Sequence, residues 1–205
     1  MKTFSQIKGI AEVVLALALA APATSTMATQ SDPAAARIEA FDQALIDTLK
    51  EGPALGPKGR FHKLAPVVQA SFDLPVMTQF AVGPAWATMS DTDHQALIVG
   101  FTRLSTASYA HNFDKFSGQK FEIDPNVTSR GADKIVQSRL ISGSRTVQLI
   151  YRMRQAGGAW KIIDVYYDSI SQLTTRRSDF HEPLTSGGAK GLLAHLNSTA
   201  EKLLQ

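Results

Sequence analysis

The chain has 205 residues, 44% of them hydrophobic and 19% charged, which is enough apolar material for one ordinary core. Its formal charge of +3 is spread over dispersed Lys and Arg, too weak a field to mark a nucleic-acid-binding protein. The absence of cysteine excludes disulfide frameworks, thiolate metal sites and a lipid-modified N-terminal cysteine.

In chain order, MKTFSQIKGIAEVVLALALAAPATSTMATQ sets Lys2 and Lys8 before an apolar run from Val13 to Ala21, followed by small residues. This is the layout of a secretory signal peptide, and the run is too short to span a bilayer comfortably. Cleavage after Ala28 or after Ala23 fits the small-x-small rule. The expectation is a signal peptide over 1–28 and one exported domain over 29–205, in a periplasm-like compartment.

Asp32-Pro33 then supplies an N-cap and a first-turn proline. Ile38, Phe41, Leu45 and Leu49 follow at helical spacing, and Gly52-Pro53 is expected to stop the run. Residues 58–72 carry Phe61, Leu64, Val68 and Phe72 on a second helical stripe. Asp73 and Pro75 open a short helix holding Val76, Met77 and Phe80, closed by Gly83-Pro84. Ser90 and Asp93 resemble a capping box, and the helix after them, 91–112, aligns Leu97, Phe101, Leu104 and Ser108.

The period then changes to two. Residues 119–124, 133–141, 145–154 and 159–167 read as strands, and the turns ISGSR and QAGGAW make the last three an antiparallel meander. A last helix over 187–204 carries Leu192, Leu193, Leu196 and Leu203. This order predicts an α+β fold, a curled, cone-like antiparallel sheet wrapped by N-terminal amphipathic helices and a C-terminal helix. A cleft between the two layers is a usual place for a ligand. In AWKIIDVYY, large groups fall on both faces of the fourth strand, so both faces need cover.

No catalytic or metal-binding spacing emerges. The five histidines are far apart in sequence, G-x-S-x-G is absent, and Gly157-Gly158 is a turn with no helix after it. Asp164, inside a strand, has two readings. In a small cone-fold enzyme it would work with a tyrosine as a proton-transfer pair; more simply, it pairs with an Arg or Lys of a neighbouring element. The expectation is a protein that is not an enzyme and carries neither metal nor cofactor.

Several landmarks recur in order: FD-x-P at 72–75, G-x-x-W at 83–86, DHQAL with Phe101, Leu104 and Tyr109, GGAWKIIDV at 157–165, S-x-x-x-x-x-R-x-x-F at 171–180 and GGAKGLLAHL at 187–196. Their succession resembles the MlaC family of periplasmic phospholipid-binding proteins, also called toluene-tolerance proteins, over residues 38–204. Asp168-Ser169 stands where that family usually has Glu-Gly, and Arg176 stands where a tyrosine is usual. These departures are closer to the hopanoid-associated branch called HpnM. The resemblance implies a nuclear-transport-factor-like cone with extra helices, holding phospholipid or hopanoid chains in an apolar cleft. It also implies exchange with an inner-membrane lipid transporter and an outer-membrane acceptor complex.

On that basis one face of AWKIIDVYY is expected to pack on the protein's helices and the other to line the cleft. Helical lining is expected from Val76, Phe80, Leu97, Phe101 and Leu104, and strand lining from Leu149, Tyr151, Ile163 and Val165. Arg177 and Phe180 match the family's R-x-x-F and are expected to fix the following helix, with Arg176 free to meet a headgroup.

Overall fold

Helix α1 (Pro33–Ser71) starts where Asp32 caps it, its carboxylate accepting from the Ala34 N–H at 2.8 Å. The computed structural model describes residues 31–205, so the signal-peptide reading over 1–28 lies outside the described residues. The helix does not stop at Gly52-Pro53. It breaks at Gly56 (φ 60°, ψ 176°), with Pro57 opening the second half.

Gly52 has a different purpose, because the Asp114 carbonyl crosses it closely. A Cβ there would lie 2.2 Å from the Asp114 oxygen. Buried Arg60 fastens the same crossing, donating from Nη1 to the Gly52 carbonyl (3.0 Å) and from Nε to the Ala110 carbonyl (2.7 Å). Gly52→Ala is therefore expected to destabilise the fold by about 1–3 kcal/mol through overpacking. Gly187→Ala, with open space around its Cβ, should be neutral or slightly stabilising; urea denaturation of both reads the contrast.

Helix α2 (Leu74–Val82) is capped by Asp73 and runs into a 3-10 turn over Gly83–Thr88. Helix α3 (Asp91–Asn112) carries a complete capping box: the Asp93 N–H donates to Ser90 Oγ at 3.2 Å and the Ser90 N–H to Asp93 Oδ2 at 3.4 Å.

The sheet comprises β1 (Lys120–Ile123), β2 (Thr128–Arg130), β3 (Asp133–Ser142), β4 (Arg145–Ala156), β5 (Ala159–Tyr167) and β6 (Ile170–Ser171). All its pairings are antiparallel, in the order β1-β3-β4-β5-β6. β2 also pairs with β3, end to end with β1 along the same edge. β2 and β6 are too short to give a period and were not expected from sequence.

The register slips between Arg152 and Met153: Arg152 opposes Asp164, whereas Met153 opposes Ile162, leaving Ile163 as the extra residue of a bulge. This resolves the two-faced appearance of AWKIIDVYY. Ile162 and Val165 both turn to the inner face, where they oppose Met153 and Tyr151. Ile163 is buried outside the main core cluster.

Helix α4 (Gln172–Leu203) begins well before the expected 187 and kinks at Gly188 (φ 59°, ψ −151°). Ser171 caps it, accepting from the Thr174 N–H at 3.0 Å. Helices α3 and α4 pack together, α1 packs on α3 and on β5, and no described helix is long and apolar enough to cross a membrane.

Candidate functional site

A cavity of about 590 Å³ opens between the inner face of the sheet and helices α1, α3 and α4. Its depth is apolar, with Leu45 from α1, Phe101 from α3, and Leu149, Tyr151 and Val165 from the sheet. The more exposed lining residues mark its mouth, at the end of the sheet holding the β3–β4 and β5–β6 turns. There lie Ser142, Arg145 and Tyr167 from the strands, Gln172 and Arg176 from the start of α4, and Asn112 from the end of α3.

Of the residues expected to line a cleft, Phe101, Leu149, Tyr151 and Val165 meet in this cavity. The others lie elsewhere. Leu97 and Leu104 are 0% and 1% exposed in the core behind Phe101, because one broad helical stripe serves both core and cavity. Val76 and Phe80 are 40% and 48% exposed, since α2 buries its opposite face through Leu74, Met77 and Thr78. Ile163 is displaced by the bulge.

Core and cavity therefore follow one another along the inner face of the strands and do not lie on opposite faces. On β4, Met153 is fully buried in the core, whereas Tyr151, Leu149 and Val147 line the cavity. On β5, Ile162 belongs to the core, where it bridges to Phe72, and Val165 and Tyr167 belong to the cavity.

A buried polar knot sits behind Tyr151. Asp42, on α1 and 3% exposed, accepts from the Tyr151 hydroxyl at Oδ1 (3.0 Å) and from Ser138 Oγ at Oδ2 (3.1 Å). Burial pushes its carboxyl up to about 7, against the lowering effect of those two hydrogen bonds. Burial, with the Asp42 charge nearby, likewise raises the Tyr109 and Tyr151 phenols. Asp42 was not singled out in the sequence, yet it left a signal: it occupies the apolar stripe between Ile38 and Leu45.

Asp164 is neither a free base nor one half of an ion pair. Its Oδ2 accepts from Ser171 Oγ (2.7 Å) and its Oδ1 from the Leu173 N–H (3.2 Å), so both oxygens serve the N-terminus of α4. The cross-strand Arg152 turns instead to Asp133, which also binds Arg154. These two arginines hold the Asp133 carboxyl below the usual carboxylate range.

Arg177 lies over the Phe80 ring at 5.6 Å, with no carboxylate within ion-pair distance among the described residues. Phe180 packs edge-to-face on Phe101 at 6.0 Å. Among the described residues no group of His, Asp or Glu has metal-holding geometry, and His94 is stacked on Trp86 at 3.9 Å.

Helices wrapped around a curled antiparallel sheet, with an apolar cavity between the layers, define a class of small α+β binding proteins. Within that class the chain belongs to the MlaC protein family, whose family model matches residues 39–198. Its fold is similar to that of a phospholipid-binding protein from Ralstonia solanacearum, solved in complex with a phospholipid. The TM-score is 0.74 at 22% identity, covering 85% of this chain and 100% of the other.

Proposed function

We infer that this protein is a periplasmic lipid carrier that holds the chains of a phospholipid or hopanoid in its internal cavity. It passes them between an inner-membrane transporter and an outer-membrane acceptor. The observation carrying this reading is the cavity itself, about 590 Å³ with an apolar depth and a polar mouth. Phe101, Leu149, Tyr151 and Val165 serve as lining in this reading. The MlaC family and the phospholipid-binding relative support the cargo class, and the leader-like sequence over 1–28 supports export.

Each methylene moved from water into a dry cavity gains roughly 0.8 kcal/mol, so a bound chain does not leave into water unaided. Release then needs a partner that accepts the chains directly. The enzymatic alternative at Asp164 loses ground because that carboxylate is occupied in capping α4.

The mature protein, purified from its own host's periplasm, is expected to carry a bound mass in native mass spectrometry. That mass should extract into organic solvent as a lipid. A clean apo mass that persists after incubation with lipid vesicles would sink the carrier reading.

A further inference from the structure

We propose that Arg145 and Arg176 form a two-point clamp for the phosphate of the bound lipid, so that the cavity selects a phosphate-bearing lipid over an uncharged one. The proposal rests on the carrier reading and names its cargo more narrowly.

Among the described residues lining the cavity, these two arginines are the only ones that are charged at neutral pH; no Asp, Glu or Lys joins them. They arrive from different elements, Arg145 as the first residue of β4 and Arg176 from the start of α4. Both stand at the mouth, while the depth below them is apolar.

Neither is committed to a strong partner. Arg145 Nη2 donates to the Tyr167 hydroxyl at 3.3 Å and has no carboxylate within ion-pair distance among the described residues. Arg176 Nη2 donates to Ser108 Oγ at 3.3 Å, and its Nη1 reaches Asp179 only at 3.5 Å, where both side chains are well solvated. Long bonds to neutral hydroxyls leave most of each guanidinium fork unused, and that fork matches phosphate oxygens. Ser142, Asn112 and Gln172 at the same rim add neutral donors.

An uncharged lipid offers these forks only neutral hydroxyl or carbonyl acceptors, a weaker replacement for the water stripped from two cations than phosphate oxygens give. A phosphodiester with its chains below it satisfies both ends of the site at once.

The test is a competition. Protein stripped of endogenous lipid is offered equimolar dioleoyl phosphatidylglycerol and dioleoylglycerol in detergent micelles, re-isolated and analysed by mass spectrometry. The two lipids share their chains and differ by the phosphoglycerol headgroup. The protein should take up phosphatidylglycerol roughly tenfold or more in preference. R145Q/R176Q should load a similar total amount but lose that preference. K58Q/K202Q, which removes two exposed charges away from the cavity wall, should keep it.

Equal loading of the two lipids by the unaltered protein would overturn the clamp, as would a preference surviving in R145Q/R176Q. Should the double variant unfold, Arg145→Gln alone, at an exposed turn, must weaken the preference or the proposal fails. Glycerophosphoglycerol, the headgroup without chains, should not displace the lipid; if it does, the site is a simple anion site. Failure of every variant and the unaltered protein to load either lipid would instead remove the carrier reading, and the clamp with it.

Discussion

Asp42→Ala is expected to destabilise the protein strongly while Asp42→Asn does not, and the stability of Asp42→Asn relative to the unaltered protein should rise with pH. The alanine leaves the Tyr151 and Ser138 hydroxyls, 2% and 1% exposed, without their acceptor. Each such group costs about 1–3 kcal/mol. Asparagine keeps a carbonyl for Tyr151 and can donate its amide to Ser138 Oγ.

The pH signature follows from the Asp42 carboxyl being raised from 3.8 to about 7 by burial. The folded protein holds that proton more tightly than the unfolded chain. The stabilisation is fully present below pH 3.8 and is lost as pH rises through about 7, at up to about 1.4 kcal/mol per pH unit. The Asp133 carboxyl works in the opposite sense. It is lowered by Arg154 and Arg152, so its contribution is lost only as pH falls below the ordinary carboxylate range. Urea midpoints at pH 5 and pH 8 isolate Asp42. The unaltered protein should lose stability between them relative to Asp42→Asn, and parallel behaviour of the two would refute the assignment.

The same residue shows where sequence reading runs short. Helices starting at Pro33 and Asp91 announce themselves by caps and apolar spacing, and the β3–β5 meander by alternation and glycine turns. What escapes is anything set by a partner distant in the chain. Gly52 looks like a helix stop until Asp114 passes it. The first half of α4 has few apolar residues to betray it, because Asp164 fixes its start from across β6. The bulge at Ile163 shifts one strand's facing by a residue, which moved Ile163 away from the expected lining and left Val165 in it. Arg145 is the exposed first residue of β4, and only the closing of α4 over the sheet end brings it to the same mouth as Arg176.

Because core and cavity share the same strands and helices, substitutions should separate stability from cargo binding. Leu149→Trp is expected to keep the fold and lose the lipid. Leu149 points into the cavity from the middle of β4, opposite Ser138 and Tyr167, so the added bulk enters open space and does not overpack the core. If the indole excludes only three methylenes of a chain, the loss is about 2.4 kcal/mol, or roughly fiftyfold in affinity. Leu97→Ala is the converse. Leu97 is 0% exposed and lies off the cavity wall, so its truncation should cost about 2–5 kcal/mol of stability. Lipid loaded per folded molecule should not change. Denaturation midpoints and extracted lipid, measured on both variants, give the comparison. Full loading of Leu149→Trp would mean that the lipid does not lie in this cavity, and loss of loading in folded Leu97→Ala would mean that core and cavity are not separable as drawn.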